Sequence, residues 1–302
     1  MKKDSLNTSL TFYQKYLHLQ GASFTRIEHE DAIVAVVYKI TPRNGKELIL
    51  KICDRENDYL REVYFLKLLA KKILTPKILQ LVHPQEGMSG AILMEYLPGD
   101  LLKPNALTES LAFELGRTLA HIHLNRLPGY GDPIQDKLFD SPLPYFTYKF
   151  EEGLEECKSH LPARFIEIYR RYYESHLHLL SSVDGPCVIH RDFRPGNMIV
   201  LDHKLQGIID WAGARASFAE EDFCSIEHGD WLTQYKQSFL SGYAEIRPVP
   251  NYNRLIPFLR LNKAIATMGY TVKQGTWETR DHLLYQFNRQ FLETFVGEMN
   301  LS

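Results

Sequence analysis

Residues 188–211, VIHRDFRPGNMIVLDHKLQGIIDW, constrain the fold more tightly than any other stretch of the chain. Two short apolar runs, at residues 197–202 and 205–210, are separated by a polar turn and predict a β-hairpin. The outer ends of a hairpin lie side by side. We therefore expect Asn197, where the hairpin starts, to lie next to Asp210, where it ends.

The polar side chains of this stretch suit a metal ion and a base. Mg²⁺ prefers a few hard oxygen ligands together with waters and substrate phosphates, and the Asn197 amide and Asp210 carboxylate supply such oxygens. Asp192 lies outside that pair, where it is free to accept a proton from a hydroxyl. His190 is placed to brace the loop. A polar hairpin without chemistry, or a zinc site using His190, Asp192 and His203, is the alternative interpretation.

Phosphoryl transfer needs a positioned nucleophile, a metal and positive charge on the developing oxygens. The run KELILKIC, residues 46–53, predicts a strand with Lys51 near its end. Successive side chains of a strand face opposite sides, so Lys51 should face away from the leucines of this run. Glu62 lies one turn into the helix that follows and is placed to pair with Lys51. The pair would hold the lysine on the phosphates of a nucleotide.

The first part of the chain, residues 1–97, predicts a small five-stranded antiparallel sheet with one inserted helix. A helix is expected at residues 5–20, and another at residues 57–73 with Asn57 or Asp58 as its cap. Asn44-Gly45 is a strong hairpin signal between the second and third strands. The strands are expected at residues 23–30, 32–40, 46–53, 77–84 and 90–97.

The rest of the chain, residues 98–302, predicts a larger and mainly helical lobe. Residues 128–146 are rich in Pro, Gly and Asp and predict an irregular loop. Thr108 is the expected cap of the first helix of this lobe. Helices are expected at residues 108–127, 161–181 and 228–246 and over most of 252–298, with short strands only around the hairpin.

Composition excludes several classes of protein. The chain has 302 residues, of which 44% are hydrophobic and 24% charged, and its formal net charge of −2 gives no reason to expect a nucleic-acid partner. No apolar stretch is long enough to predict a signal peptide or a membrane span. The four cysteines form no C-x-x-C pair, so we expect reduced thiols and a cytoplasmic protein. Both a monomer and a homodimer are compatible with the sequence.

These motifs resemble those of the aminoglycoside phosphotransferase and choline kinase superfamily, which has the protein-kinase fold. The catalytic loop of that family reads His-x-Asp-x-x-x-x-Asn, and residues 190–197 here read HRDFRPGN. Its metal-binding aspartate stands in Ile-Asp-Trp, and residues 208–211 read IIDW. The resemblance covers roughly residues 24–245. It implies an α+β, bilobal fold with a small antiparallel-sheet N-lobe and a larger, mainly helical C-lobe.

The resemblance also implies a role for each matching residue. Asp192 would be the catalytic base, with His190 bracing its loop and Arg194 stabilising the transferring phosphoryl group. Asn197 and Asp210 would hold Mg²⁺. The ATP-binding residues would be Lys51 on the phosphates, Glu62 fixing Lys51, and the main-chain groups of Glu95, Tyr96 and Leu97 on the adenine edge.

One feature departs from the family pattern. The loop between the first two strands, EHEDAI at residues 28–33, has no glycine, whereas a Gly-rich loop would let the backbone approach the phosphates closely. Its acidic side chains would lie near those phosphates. Either our strand register is shifted, or nucleotide affinity is modest, or the nucleotide preference is unusual.

The predicted activity is transfer of the γ-phosphoryl group of ATP to a hydroxyl. A small-molecule acceptor is expected, because the segment after Asp210 is too short to form a long activation segment or a platform for a protein substrate. The acidic groups at residues 219–222 and 226–230 favour a cationic acceptor such as an amino sugar, although a solvated helix start explains them equally well. Three alternatives stay open. They are an aminoglycoside kinase, a metabolic kinase for choline, ethanolamine, homoserine or a sugar, and a nucleotide-binding pseudokinase without turnover.

Overall fold

The structure is a computed structural model that describes residues 10–27 and 35–299. The glycine-free loop at residues 28–33 lies outside the described residues, as do the adjoining ends of the two strands predicted beside it. The first predicted helix, α1, is described from residue 10 and is helical over residues 10–16.

The chain divides into two compact units, which we call unit 1 and unit 2. Their described residues fall within Met1–Ile122, His190–Ala214 and Trp231–Arg247 for unit 1, and within His123–Ile189, Arg215–Asp230 and Pro248–Ser302 for unit 2. The predicted division of the chain after residue 97 into two lobes stays a prediction.

Unit 1 contains the predicted five-stranded antiparallel sheet. Its order is β1-β2-β3-β5-β4, and every neighbouring pair is antiparallel. The strands are β1 (Ser23–Ile27), β2 (Ala35–Thr41), β3 (Leu48–Cys53), β4 (Ile78–Val82) and β5 (Gly90–Glu95). Apolar side chains of β2, β3 and β5 form a core with Tyr13 and Leu17 from the N-terminal segment. Alternation along β3 therefore leaves Lys51 for the other face, as predicted.

Helix α2 (Glu56–Leu69) is inserted between β3 and β4, as predicted, but its predicted cap is wrong. The N-cap residue is Arg55, and no side chain caps the helix. Asp58 instead lies inside the first turn, where it is buried and pairs with the guanidinium groups of Arg55 and Arg61. The Asp58 carboxylate is thus held by these two arginines and caps no main-chain N–H of the helix.

The predicted hairpin is confirmed in unit 1. Strands β8 (Met198–Leu201) and β9 (Lys204–Ile208) pair antiparallel, and β6 (Asp100–Leu101) adds a third strand beside β8. Helix α3 (Glu109–His123) begins with the predicted cap, because the Leu111 N–H donates to Thr108 Oγ1 at 3.3 Å. Helix α7 (Lys236–Ile246) completes this unit.

Unit 2 is mainly helical. Its two short strands, β7 (Cys187–Ile189) and β10 (Arg215–Ser217), pair antiparallel. One large apolar core, rich in aromatic rings from α4, α5 and α8, holds the helices together. The helices are α4 (Pro142–Cys157), α5 (Ala163–His176), α6 (Glu220–Gly229), α8 (Ile256–Lys273) and α9 (His282–Met299).

Two predicted boundaries in the helical part are wrong. The irregular loop ends before α4, whose first residue Pro142 supplies a φ suited to a helix start. The helix predicted at 228–246 is interrupted, because Asp230 ends α6 in the left-handed region at φ 47° and α7 starts only at residue 236. Most of residues 252–298 is helical, as predicted, in two helices separated near Gly275, which has φ 65°.

The predictions about the cysteines and about membrane spans can be compared with the described residues. All four cysteines are free and buried. Within residues 10–27 and 35–299, no helix combines the length and apolar character needed to cross a membrane.

Candidate active site

The Asp192 carboxylate is held by two side chains of its own loop. Arg194 donates its Nε–H to Oδ1 at 3.0 Å. The Asn197 amide donates to Oδ2 at 2.7 Å and to the Asp192 main-chain oxygen at 2.9 Å. The side chain nevertheless remains 47% exposed. The loop thus orients the carboxylate while leaving it accessible to another molecule.

His190 is fully buried and connects this loop to the end of the hairpin. Its Nε2 lies 3.1 Å from the Ile209 carbonyl oxygen, and its Nδ1 accepts from the Asp192 main-chain N–H at 3.3 Å. These two contacts assign the ring proton to Nε2. The Trp211 ring packs edge-on against the imidazole at 4.5 Å. His190 is therefore fixed in tautomer and orientation, with both ring nitrogens engaged.

The two ends of the hairpin meet, as predicted. The Ile209 N–H donates to the Asn197 carbonyl oxygen at 3.0 Å, immediately before Asp210. Asp210 adopts left-handed backbone angles, φ 63° and ψ 69°, which aspartate tolerates better than most residues. The chain then enters a 3₁₀ turn, Trp211–Gly213, which the Ala214 N–H closes on the Trp211 oxygen.

Lys51 lies between two carboxylates. Its Nζ is 2.9 Å from Glu62 Oε2 and 2.8 Å from Asp210 Oδ1. Burial by itself lowers the pKa of Lys51, but the two carboxylates outweigh that effect and raise it above its ordinary value. In turn, Lys51 lowers the pKa of Asp210. The group is therefore a charged cluster, in which Asp210 is the exposed member at 49%.

The donor set of Asn197 and Asp210 fits a hard cation. The Asn197 nitrogen is used on Asp192, which leaves the amide oxygen Oδ1 without a partner in the described chain. Lys51 occupies Oδ1 of Asp210, and Oδ2 has no hydrogen bond to any described residue. Two unengaged oxygens of this kind suit Mg²⁺, which takes its other ligands from water and phosphates. We infer that these residues could hold the ion.

The zinc alternative finds no support in the described part of the chain. No three His, Cys, Asp or Glu side chains are grouped there as metal ligands would be. His203 lies exposed in the turn between β8 and β9, and both nitrogens of His190 are already engaged.

The predicted adenine-binding residues follow β5. The Glu95 N–H is already used, because it donates to the Lys77 carbonyl oxygen at 3.0 Å. The Tyr96 ring lies under the Lys39 ammonium, 4.4 Å from Nζ to the ring centroid. The main-chain N–H of Leu97 makes no hydrogen bond to another described residue. The N–H of Glu95 is thus already engaged, whereas that of Leu97 is available to a ligand.

The acidic residues at 219–222 do not form a cation site. Glu220 is buried and accepts two hydrogen bonds, both 3.1 Å, from the Asp184 main-chain N–H. Asp222 is fully buried, with Oδ2 3.1 Å from His123 Nε2. These carboxylates hold unit 2 together. Glu220 and Asp222 are therefore not exposed to a cationic acceptor, and the preference for such an acceptor stays a prediction.

Arg61 was not predicted from the sequence. Its side chain is buried in α2, next to Glu62, and its Nε–H donates to the Ala212 oxygen at 2.7 Å. The spacing from Asp58 to Arg61, three positions along a helix, was the one available signal, and it indicates only an ion pair within the helix. The contact with Ala212 had no signal in the sequence.

Comparison with known proteins identifies the family. A model of the phosphotransferase enzyme family matches residues 25–254, most of the chain. The chain belongs to this family. The sequence-based resemblance is thereby confirmed, and the protein is a phosphotransferase that acts on an alcohol group of a small molecule. None of the curated protein sequences compared with the chain matches it.

Several solved structures share the fold of this phosphotransferase. The GDP and kanamycin complex of APH(2'')-IIIa has a TM-score of 0.69 at 13% identity, with 97% of this chain and 98% of that one covered. The ternary complex of aminoglycoside phosphotransferase APH(4)-Ia with AMP-PNP and hygromycin B has a TM-score of 0.66 at 14% identity, with 95% and 97% covered.

A third similar structure is named as a different enzyme. It is assigned as a fructosamine-3-kinase from Thermobifida fusca and has a TM-score of 0.66 at 16% identity, with 91% of this chain and 96% of that one covered. At such identities the likeness establishes the fold alone. It confirms the predicted kinase-like α+β fold class.

Proposed function

We propose that this phosphotransferase uses ATP and Mg²⁺ to transfer the γ-phosphoryl group to a hydroxyl of a small molecule. The observation that carries the proposal is the half-exposed Asp192 carboxylate, oriented by Arg194 and Asn197. It belongs to the same compact unit as the Lys51, Glu62 and Asp210 cluster. Together these residues supply the base, cation and metal ligands that phosphoryl transfer requires.

Asp192 would act as the general base. Both of its oxygens accept hydrogen bonds from neighbours, which fixes the direction from which an acceptor hydroxyl approaches. Arg194 holds Oδ1 and would move to the transferring phosphoryl group, where a planar guanidinium binds oxygens bidentately. His190 would brace the loop through its contact with Ile209.

Lys51 and Glu62 would serve the nucleotide. Lys51 would contact the phosphates while Glu62, which is buried, retains its ion pair and keeps the ammonium in place. Glu95, Tyr96 and Leu97 would present main-chain groups to the adenine edge, with the free N–H of Leu97 as donor. The nucleotide complexes of the similar structures support a nucleoside triphosphate as donor, and we propose ATP.

Asn197 and Asp210 would hold Mg²⁺ through the two oxygens that no described residue engages. When bound, the ion supplies neutralisation of the charge on the phosphate oxygens. The contribution of the chain is to fix those two oxygens. The Asp192 contact fixes the Asn197 amide, and Asp210 adopts left-handed backbone angles directly after the hairpin.

For the acceptor we propose an aminoglycoside-like amino sugar. The support is that two of the similar structures contain kanamycin or hygromycin B. A metabolic kinase for a sugar, choline, ethanolamine or homoserine is the second candidate, favoured by the likeness to a fructosamine-3-kinase. A pseudokinase is the third, opposed by the presence of every catalytic residue. A cytoplasmic location and a monomeric or homodimeric state stay predictions.

The experiment is a screen that measures ADP release from ATP in the presence of each candidate acceptor. Turnover with an aminoglycoside supports the first candidate, and turnover only with a metabolite supports the second. Nucleotide binding without turnover for any acceptor would refute the proposed function. Asp192→Asn should lower kcat by about 10²- to 10⁴-fold, the usual contribution of a general base. Asp136→Asn, an exposed aspartate in unit 2, is the matched control and should leave kcat unchanged.

The metal assignment has its own test. Asp210→Ala removes one proposed ligand while Lys51 keeps its partner Glu62, so the variant should fold and lose Mg²⁺-dependent turnover. Circular dichroism checks folding, and titration with Mg²⁺ checks the metal response. A folded Asp210→Ala variant with full activity would contradict the assignment.

A further inference from the structure

Arg61 makes a contact that neither folding of α2 nor the lysine pair requires. Its residue surface is only 8% exposed. The Nε–H donates to the Ala212 main-chain oxygen at 2.7 Å, a hydrogen bond across 151 positions of the chain. Ala212 lies in the 3₁₀ turn directly after Asp210. A charged donor in a buried site makes a hydrogen bond stronger than a neutral one.

Asp58 neutralises the Arg61 guanidinium and limits its rotation. Its carboxylate is buried and accepts from Arg61 through one oxygen and from Arg55 through the other. Two residues therefore share the task of balancing Asp58, and Arg61 in addition donates to the turn. Arg55 is 41% exposed, whereas Arg61 is 10% exposed, measured on the side chains.

The contact closes a ring of interactions around the candidate active site. Glu62 in α2 binds Lys51 of β3, and Lys51 binds Asp210. Two residues further on, Ala212 binds Arg61, which precedes Glu62 in α2. A second contact runs parallel to this one, because the Phe65 and Trp211 rings pack at 6.5 Å. Helix α2 is thus joined to the turn both through Lys51 and independently of it.

We propose that Arg61 is a positioning residue that keeps Glu62 and Asp210 in a fixed relation while Lys51 changes partners. This inference rests on the proposed function. Once Lys51 contacts phosphates and Asp210 binds a cation, the direct contact between these two side chains weakens. The hydrogen bond from Arg61 to the main chain involves no group that the nucleotide or metal uses. It therefore persists and keeps the proposed metal ligand aligned.

The comparison of Arg61→Met with Arg55→Met isolates this role. Each variant removes one of the two arginines on Asp58 and replaces it with an unbranched apolar side chain. Arg61→Met in addition removes the hydrogen bond from Arg61 Nε to the Ala212 oxygen. If Arg61 served merely to balance Asp58, the two variants would differ only in thermal stability.

Two readouts separate the hypotheses. The first is the exchange rate of the Ala214 amide hydrogen, which closes the turn on Trp211 and reports on local opening. In the wild type and in Arg55→Met, the turn can open only by breaking the Arg61 contact, whereas Arg61→Met lacks that contact. We therefore expect the Ala214 amide hydrogen to exchange at least about tenfold faster in Arg61→Met than in Arg55→Met. The second is the Mg²⁺ concentration for half-maximal turnover, expected to rise by about 10- to 100-fold, as for loss of a group that orients a metal ligand.

Equal Ala214 exchange in the two variants would overturn the inference, as would equal Mg²⁺ dependence in active, folded variants. The wild-type acceptor screen is done first. If the wild-type chain turns over no acceptor, the proposed function fails, and the amide-exchange comparison alone decides whether Arg61 couples α2 to the turn. The failure of one proposal is therefore distinguishable from the failure of the other.

Discussion

Replacing Lys51 with methionine should destabilise the protein strongly. Lys51 is the only described partner of the Glu62 carboxylate, and that side chain is 2% exposed. Removing one partner of a buried ion pair costs about 3–5 kcal/mol, because the other charge stays buried and uncompensated. Methionine fills a similar volume, so packing adds little. Asp210 contributes less to the loss because it is half exposed to water.

The destabilisation should depend on pH with a definite sign. Burial already raises the pKa of Glu62 above its ordinary value, and loss of Lys51 raises it further. The folded Lys51→Met variant then takes up a proton more readily than the unfolded chain. As pH falls, the free energy of unfolding of the variant should therefore increase relative to that of the wild type. The increase begins near the pKa of Glu62 in the folded variant and ends near about 4.3, its pKa in the unfolded chain.

Urea unfolding at about pH 7.5 and about pH 5 measures both effects. The double variant Lys51→Met, Glu62→Gln should lose less than Lys51→Met at the higher pH, because a neutral amide replaces the unpaired carboxylate. Lys39→Met is the matched control, since Lys39 forms an exposed ion pair with Glu47 at 2.7 Å and should cost at most about 1 kcal/mol. A Lys51→Met variant as stable as Lys39→Met, or one that does not recover at lower pH, would refute the reasoning.

Two further predictions concern stability. A Cβ on Gly116 would lie 1.9 Å from the Phe239 oxygen, so Gly116→Ala should cost about 1–3 kcal/mol or more by overpacking α3 against α7. At Gly297 a Cβ would have no atom within 4 Å, so Gly297→Ala should stabilise α9 by up to about 1 kcal/mol. Equal effects of Gly116→Ala and Gly297→Ala on urea unfolding would contradict the close packing at Gly116. Burial is the main reason why the pKa of His228 is lowered, and nearby cations add to the effect. The unfolded chain therefore binds a proton at His228 more readily than the folded chain, and the free energy of unfolding should fall from about pH 7 to about pH 5. His228→Gln should flatten that dependence, and an unchanged slope would count against it.

Much of unit 1 was predictable because its signals are local. The Asn44-Gly45 turn fixes the pairing of β2 with β3, with Ile40 opposite Leu48. The turn between β8 and β9 does the same for the hairpin that ends before Asp210. The side-chain period of two along a strand decides which face Lys51 takes. Each of these inferences needs only neighbouring residues.

Two expectations failed because the partner of a carboxylate is not evident from its charge. Asp58 was predicted to cap α2, but its carboxylate pairs with Arg55 and Arg61. Arg61 in turn donates a hydrogen bond to the Ala212 oxygen. Asp222 was taken for part of an exposed acidic group, but it is buried against His123. Charge alone could not separate an exposed carboxylate from one already paired in the core.

The sequence by itself determined which chemical groups the chain carries and how the hairpin between Asn197 and Asp210 is built, because turn propensity and strand alternation act over a few residues. Only the tertiary structure decided which groups contact one another. The pair of Lys51 with Glu62 was expected from the sequence, but only the tertiary structure placed Lys51 on Asp210 as well and joined α2 to the turn through Arg61. Such contacts depend on how distant segments pack, and burial then sets the energy of each charge.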